Sequence, residues 1–319
     1  MSDWIQECDD KAEWDLFVSE SPHYNLFCTT HFLDACGKDY DLVVIKNDKS
    51  ILLGAVIIRD GDGRPINRPF VYQGILLSRS VADYPNHKRA KKICDLVGEL
   101  LGWLEVRSDH ISFSLHHAFE DLRGFQWFHY HEPERGLFQT DIRYSAVLEL
   151  NNIGGIEGVL ARARTVRRQE YKRCLREGYL VEETDDAGLL DRLHLMTFDR
   201  QGLKRSTREK FIATTLAKTA VEQGFGRVIV CRSPDGDPAS AGLFLFDRKT
   251  AYYLIGANNP AYRNSGSSAL VLFEQIRRSI EQGNTYVDFL GANSPNRGDF
   301  KTSFNAHLVQ YVNVSWRGE

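Results

Sequence analysis

The sequence predicts an α/β protein made of two units of one architecture. Three strand-like runs, a helix and a further strand occur in that order twice, each set preceded by helices. The helix of each set carries an apolar stripe at helical spacing, as a helix laid against a sheet must. The chain has 319 residues, enough for two domains of ordinary size. The expected division is 1–150 and 151–319, without a residue-level repeat.

In the first half, 11–19 (KAEWDLFVS) and 29–36 read as short helices, with Ser21-Pro22 breaking the chain between them. Residues 41–48, 50–60 and 69–78 read as strands. Asp48-Lys49 turns the first pair, and Gly61-Asp62-Gly63 opens the next loop. A helix over 87–106 aligns Ile93, Leu96, Val97, Leu100 and Leu104. Strand-like runs follow at 110–117, 125–131 and 137–150.

The second half opens with a long helix over 156–177, its buried stripe traced by Ile156, Val159, Leu160, Ala163, Val166 and Cys174. Helices at 188–200 and 208–223 precede strands at 227–232, 239–246 and 251–256. After a polar turn, Ala269, Phe273, Ile276 and Ile280 share one helix face, and Gly283 ends that helix. Strands at 285–290 and 307–315 complete the chain.

Hydrophobic content of 42% and charged content of 26% describe a water-soluble globular protein, expected in the cytoplasm. No run approaches the length of a membrane span, and the polar start MSDWIQECDD does not read as a secretory leader. A net charge of −3 argues against a DNA-coating protein. Six cysteines (8, 28, 36, 94, 174 and 231) lack zinc or redox spacing, so no metal is expected and a reducing setting is the simplest account. His116-His117 and His129-x-His131 lack a patterned partner set and read as strand histidines.

The turn Arg263-Asn264-Ser265-Gly266-Ser267-Ser268 joins a strand to a helix start. The first backbone N–H groups of a helix have no partner within it, and its dipole favours negative charge there. Gly266 lets backbone approach closely, the serines can cap or donate, and Arg263 adds a planar fork of donors. The turn is therefore a candidate phosphate or pyrophosphate seat; the same residues also suit an ordinary capped turn. Residues 161–178 carry seven cations in a net-acidic chain, which suggests an anionic partner or a solvated helix face. Asp288, in the strand after the phosphate helix, could orient or deprotonate an amine, or serve the backbone. Tyr262, Tyr253 and Asn293 are possible donors. No Gly-x-Ser-x-Gly elbow or Walker loop is present.

Arg263-x-x-Gly266-x-Ser268 resembles the coenzyme A pyrophosphate loop of the GNAT acetyltransferase superfamily, with Ser268 where glycine or alanine is usual. The wider run, PAYR, helix, GNTYVDFLGA and FKTSF, is similar to the Fem-like group within it. That resemblance implies two tandem GNAT-like domains, each a mixed sheet flanked by helices. The donor site falls in the second, and the first, with no glycine in SRSVADYPNHKRAKKI, becomes a wall of the acceptor cleft. It implies acyl-CoA as co-substrate, held at Arg263–Ser268, and transfer to an amine without a covalent enzyme intermediate. Lys301 matches the Fem-like F-K-x-x-F lysine, a cation for an oxyanion or an acceptor phosphate. Arg167, or Arg168, with Tyr171 matches a pair that holds the phosphates of a nucleotide-linked acceptor. The expected acceptor is an anionic amine, such as a nucleotide-linked amino sugar or cell-envelope precursor. The alternatives are an aminoacyl-tRNA-dependent aminoacyltransferase, without the coiled-coil insertion such members often carry, and a non-enzymatic RNA- or protein-binding module.

Overall fold

The computed structural model describes residues 4–59 and 70–318. The Gly61-Asp62-Gly63 loop, and the first residue of the strand expected at 69–78, lie outside them. Strands and helices follow as β1 (Trp4–Glu7), α1 (Lys11–Glu20), α2 (Thr30–Ala35), β2 (Tyr40–Lys46), β3 (Ile51–Ile58), β4 (Ile75–Leu77), α3 (Arg79–Ala82), α4 (Asn86–Glu105), β5 (His110–Ser114), α5 (Arg123–Gln126) and β6 (Gln139–Glu149). Then come α6 (Gly155–Arg162), α7 (Thr165–Arg176), β7 (Leu180–Thr184), α8 (Ala187–Asp199), α9 (Thr207–Phe211), α10 (Ala217–Glu222), β8 (Gly226–Arg232), β9 (Pro238–Phe246), β10 (Thr250–Asn258), α11 (Ser267–Glu281), β11 (Tyr286–Asp288), α12 (Pro295–Thr302) and β12 (His307–Arg317). None of the described helices is long and apolar enough to cross a membrane.

Two compact units result: the residues up to Arg143 together with those from Gln310 onward, and Tyr144–Val309. In the first, β1, β2, β3 and β4 form an antiparallel sheet, and β5 pairs with Asn313–Arg317 of β12. The α4 stripe (Ile93, Leu96, Val97, Leu100, Leu104) is buried against those strands, with Val312, Val314 and Trp316 from the chain end in the same core. In the second unit the strand order is β6, β11, β10, β9, β8, β7, and of these pairs only β10 with β11 is parallel. There α11 buries Leu270, Leu272, Phe273 and Ile276, each side chain contributing about 1.5–3 kcal/mol. The second unit is continuous and opens on Tyr144–Glu149 of β6, whereas the first takes β12, from Gln310 onward, from a distant part of the chain.

Four expectations are corrected. The helix expected over 156–177 is two, because Ala163 and Arg164 turn extended and the Arg164 N–H is given to the Ser303 carbonyl (2.8 Å). Val166, expected on the buried stripe, is consequently exposed. The run 125–131 is not a strand; it folds into α5 and successive turns, with Tyr130 N–H bonded to the Trp127 carbonyl and His129 at φ 57°. The third strand shrinks to β4, because Phe70–Gln73 closes a turn through Tyr72 at φ 63°.

Candidate active site

Strands β10 and β11 pair only from Thr250–Tyr286 to Tyr252–Asp288. β10 then continues to Asn258 while β11 ends, so the strands part at Tyr253, just before an irregularity in the β9–β10 register. α12 places Lys301 at this fork. Its ammonium donates to the carbonyls of Leu290 (3.1 Å) and Gly291 (2.9 Å) and lies 5.7 Å from the centre of the Tyr253 ring. Phe300 and Phe304 flank it, with Phe304 fully buried against Phe273 and Phe289. Burial pulls the Lys301 pKa down to about 8; Asp288 pushes it back up and Arg297 pulls it down further.

Asp288 is buried. Its Oδ1 accepts from the Ser145 hydroxyl and from the Leu290 N–H (2.7 Å). Those bonds hold the turn after β11, in which Leu290 takes φ 54°, a left-handed conformation that costs a branched residue about 1–2 kcal/mol. Asp288 therefore shapes the turn whose carbonyls hold Lys301. Asn293 is bound on both sides of its amide to the Tyr144 backbone, at 2.8 and 3.1 Å.

At the far end of β10 lies the glycine turn. Asn259–Tyr262 make a short 3₁₀ turn, and the Tyr262 hydroxyl donates to Asp237 (2.7 Å), which anchors the turn at a distance from the fork. Arg263 and Asn264 are exposed. The Ser265 hydroxyl donates to the Tyr262 carbonyl (2.7 Å) and accepts from the Ser267 N–H (3.1 Å). Gly266 precedes α11 at φ 92°, and the Ser268 hydroxyl bonds the Asn258 side chain. The backbone N–H groups of Gly266 and Ser268 have no acceptor among the described residues. The seat is therefore half engaged: one of its amides is capped internally, and two are available to an anion.

The basic helix faces several ways. Arg167 pairs with Glu170 (2.7 Å) and stacks over Phe300 (4.9 Å), both charges being mostly buried. Burial lowers the Arg167 pKa and raises that of Glu170, while their mutual attraction opposes both shifts. Arg168 donates to the Ala161 carbonyl (2.9 Å) and the Thr165 hydroxyl (3.0 Å), and Tyr171 packs edge-on against Phe273 (5.2 Å). Arg173 donates to the carbonyls of Asn264 (2.8 Å) and Ser265 (2.7 Å), so it holds the glycine turn. Lys172 and Arg176 face solvent. No cluster of potential metal ligands occurs among the described residues.

Residues 161–302 match the family model described as acetyltransferase (GNAT) domain. This stretch is a GNAT domain. No curated protein matches the sequence significantly. Over nearly the full length the fold is similar to that of several solved structures, one of them a tandem GNAT protein. FemX superposes with a TM-score of 0.69 at 12% identity, covering 98% of this chain and 97% of its own. L-PGS from Bacillus licheniformis gives 0.57 at 12%, covering 97% and 92%. A tandem GNAT protein from the clavulanic acid biosynthesis pathway gives 0.54 at 9%, covering 99% and 98%. The GNAT resemblance is thereby borne out over residues 161–302, an acyltransferase domain by its family model, and the likeness to Fem-type proteins and the two-domain architecture are borne out in the fold. Within residues 161–178 of the sequence, Arg173 is one cation among seven, with nothing in its spacing to single it out. Its neighbour Cys174 on the buried stripe was the signal that Arg173 borders the interior. The fork at Tyr253 had no local signal, because it depends on where β11 stops.

Proposed function

We propose that the protein is an N-acyltransferase that moves an acyl group from acyl-CoA, or another phosphopantetheine thioester, to the amine of an anionic small molecule. The observation that carries this reading is the parting of β10 and β11 at Tyr253, with Lys301 at the fork and free α11 amides at the other end of β10. The six residues from Tyr253 to Asn258 span about 20 Å at strand geometry, the order of length of an extended phosphopantetheine arm. A donor laid along that edge would set its pyrophosphate at Gly266–Ser268 beside Arg263, and its thioester near Lys301.

The acceptor amine attacks as a free base, forming the C–N bond while the C–S bond breaks. The Lys301 ammonium donates a proton to the leaving thiolate, then takes up the proton released by the new amide nitrogen. Its pKa of about 8 is matched to a thiol of about 8.5. Arg297, exposed one turn before Lys301, supplies positive charge for an anionic acceptor, of which a nucleotide-linked amino sugar or cell-envelope precursor is the expected kind. Asp288 acts through the Leu290 turn.

Calorimetry with coenzyme A tests the donor: binding is expected, and no binding to a panel of acyl-CoAs overturns the reading. The rate should fall as pH rises through about 8, where Lys301 loses its proton, and Lys301→Arg, which cannot give up its proton, should lower the rate throughout and erase that limb. A second reading, an aminoacyl-tRNA donor, draws on Arg168, Lys172 and Arg176, which recur at four-residue spacing on one side of α7, the last two exposed. A gel shift with charged tRNA that weakens steeply with salt would favour it.

A further inference from the structure

We infer that Arg173 of α7 is a positioning residue for the donor: it sets the backbone of the glycine turn so that the Gly266 amide faces a phosphate. This rests on the acyl-CoA reading above.

One guanidinium nitrogen of Arg173 binds two successive carbonyls, Asn264 (2.8 Å) and Ser265 (2.7 Å). The Cys174 thiol also reaches the Ser265 carbonyl, at 3.2 Å. In a planar trans peptide the C=O and the following N–H point in opposite directions. A Ser265 carbonyl drawn toward α7 therefore turns the Gly266 N–H away from α7. That N–H has no acceptor among the described residues.

The same helix presses on the turn from behind. A Cβ on Gly266 would come within 2.7 Å of the Glu170 Cβ and 3.3 Å of its Cα, at a φ of 92°. Glu170 is itself held by Arg167 (2.7 Å). α7 is thus a template for the loop, in contact through Glu170, Arg173 and Cys174, one helical turn of the basic segment. Without Arg173 the two carbonyls lose their charged donor, the peptide planes are free to rotate, and a carbonyl oxygen can replace an N–H at the seat. An anion would then meet a lone pair where it needs a donor.

The test uses the intact protein and two probes, coenzyme A and pantetheine, which lacks the nucleotide and its phosphates. Calorimetry of wild type, Arg173→Gln and Arg173→Lys is compared, with thermal melting as a check on folding. The expected result is that Arg173→Gln weakens coenzyme A about tenfold or more and leaves pantetheine unchanged, while Arg173→Lys recovers part of the loss. Coenzyme A affinity within twofold of wild type in Arg173→Gln overturns the inference. So does a parallel loss for both probes, which assigns Arg173 to general folding. If Arg173→Gln does not fold, Arg173→Lys alone decides: selective weakening of coenzyme A supports the inference, and unchanged affinity overturns it. Wild type that binds pantetheine and coenzyme A equally removes the phosphate seat, and the inference with it. Wild type that binds neither probe removes the acyl-CoA reading itself.

Discussion

The long helices that come after β4 and β10, α4 and α11, begin in opposite ways. α4 starts after Pro85, and Arg89 closes its entry by donating to Asn86 (2.9 Å) and to the Ala82 carbonyl (3.2 Å). α11 starts after Gly266 at φ 92°, with two amides left over and a neighbouring helix gripping the carbonyls behind them. The layers match; the entries do not. Repeating an architecture does not repeat a site, because the site depends on one left-handed glycine and on what braces it.

The largest test of this contrast is glycine replacement. Gly266→Ala forces a side chain into the left-handed region and against Glu170. We expect coenzyme A binding to fall by at least tenfold and stability by about 1–3 kcal/mol, read by calorimetry and thermal melting. Gly98→Ala in α4 meets nothing within 4 Å and should gain about 0.5–1 kcal/mol. Equal effects at the two positions would erase the distinction.

Next in size is the way each unit buries a base. In the first, burial holds the His23 pKa down to about 4; Nδ1 accepts from the Leu77 N–H (3.0 Å) and Nε2 lies 3.3 Å from the Ala118 carbonyl. The folded state keeps this ring neutral while the unfolded chain protonates below about 6.5. Stability should therefore fall as pH drops from about 6.5 toward 4, by about 1.4 kcal/mol per pH unit for this group. Replacing His23 with Gln should flatten that slope in acid melts. In the second unit, Lys301 works in the alkaline direction: between about 8 and its unfolded value the unfolded chain binds the extra proton, so stability rises with pH.

The smallest effect concerns the departure from the usual loop pattern. Ser268→Ala removes the bond to Asn258 and should cost about 1 kcal/mol. Coenzyme A affinity should stay within about twofold, since the backbone donates.

Periodicity made much of this legible. The α4 and α11 faces were readable because each buries one stripe along several turns. The glycine turn was readable because left-handed glycine before a helix has few substitutes. β7 was not: as an edge strand with the exposed pattern of Leu180–Thr184 it shows no alternation. The break at Ala163 has its cause in the Ser303 carbonyl, far along the chain. Arg167 and Tyr171 share a helix face, as their spacing requires, but spacing cannot say that Glu170, Phe300 and Phe273 already occupy them.

The late strand that completes the first unit also governs how this protein is made. Val312, Val314 and Trp316 belong to the core built on α4, yet they follow the whole of the second unit in the chain. The first unit must wait, incompletely sheathed, while the second is synthesised, which exposes it to chaperones and to aggregation over that interval. A nonsense codon or clipped tail near residue 310 would therefore wound the half of the molecule that was translated first.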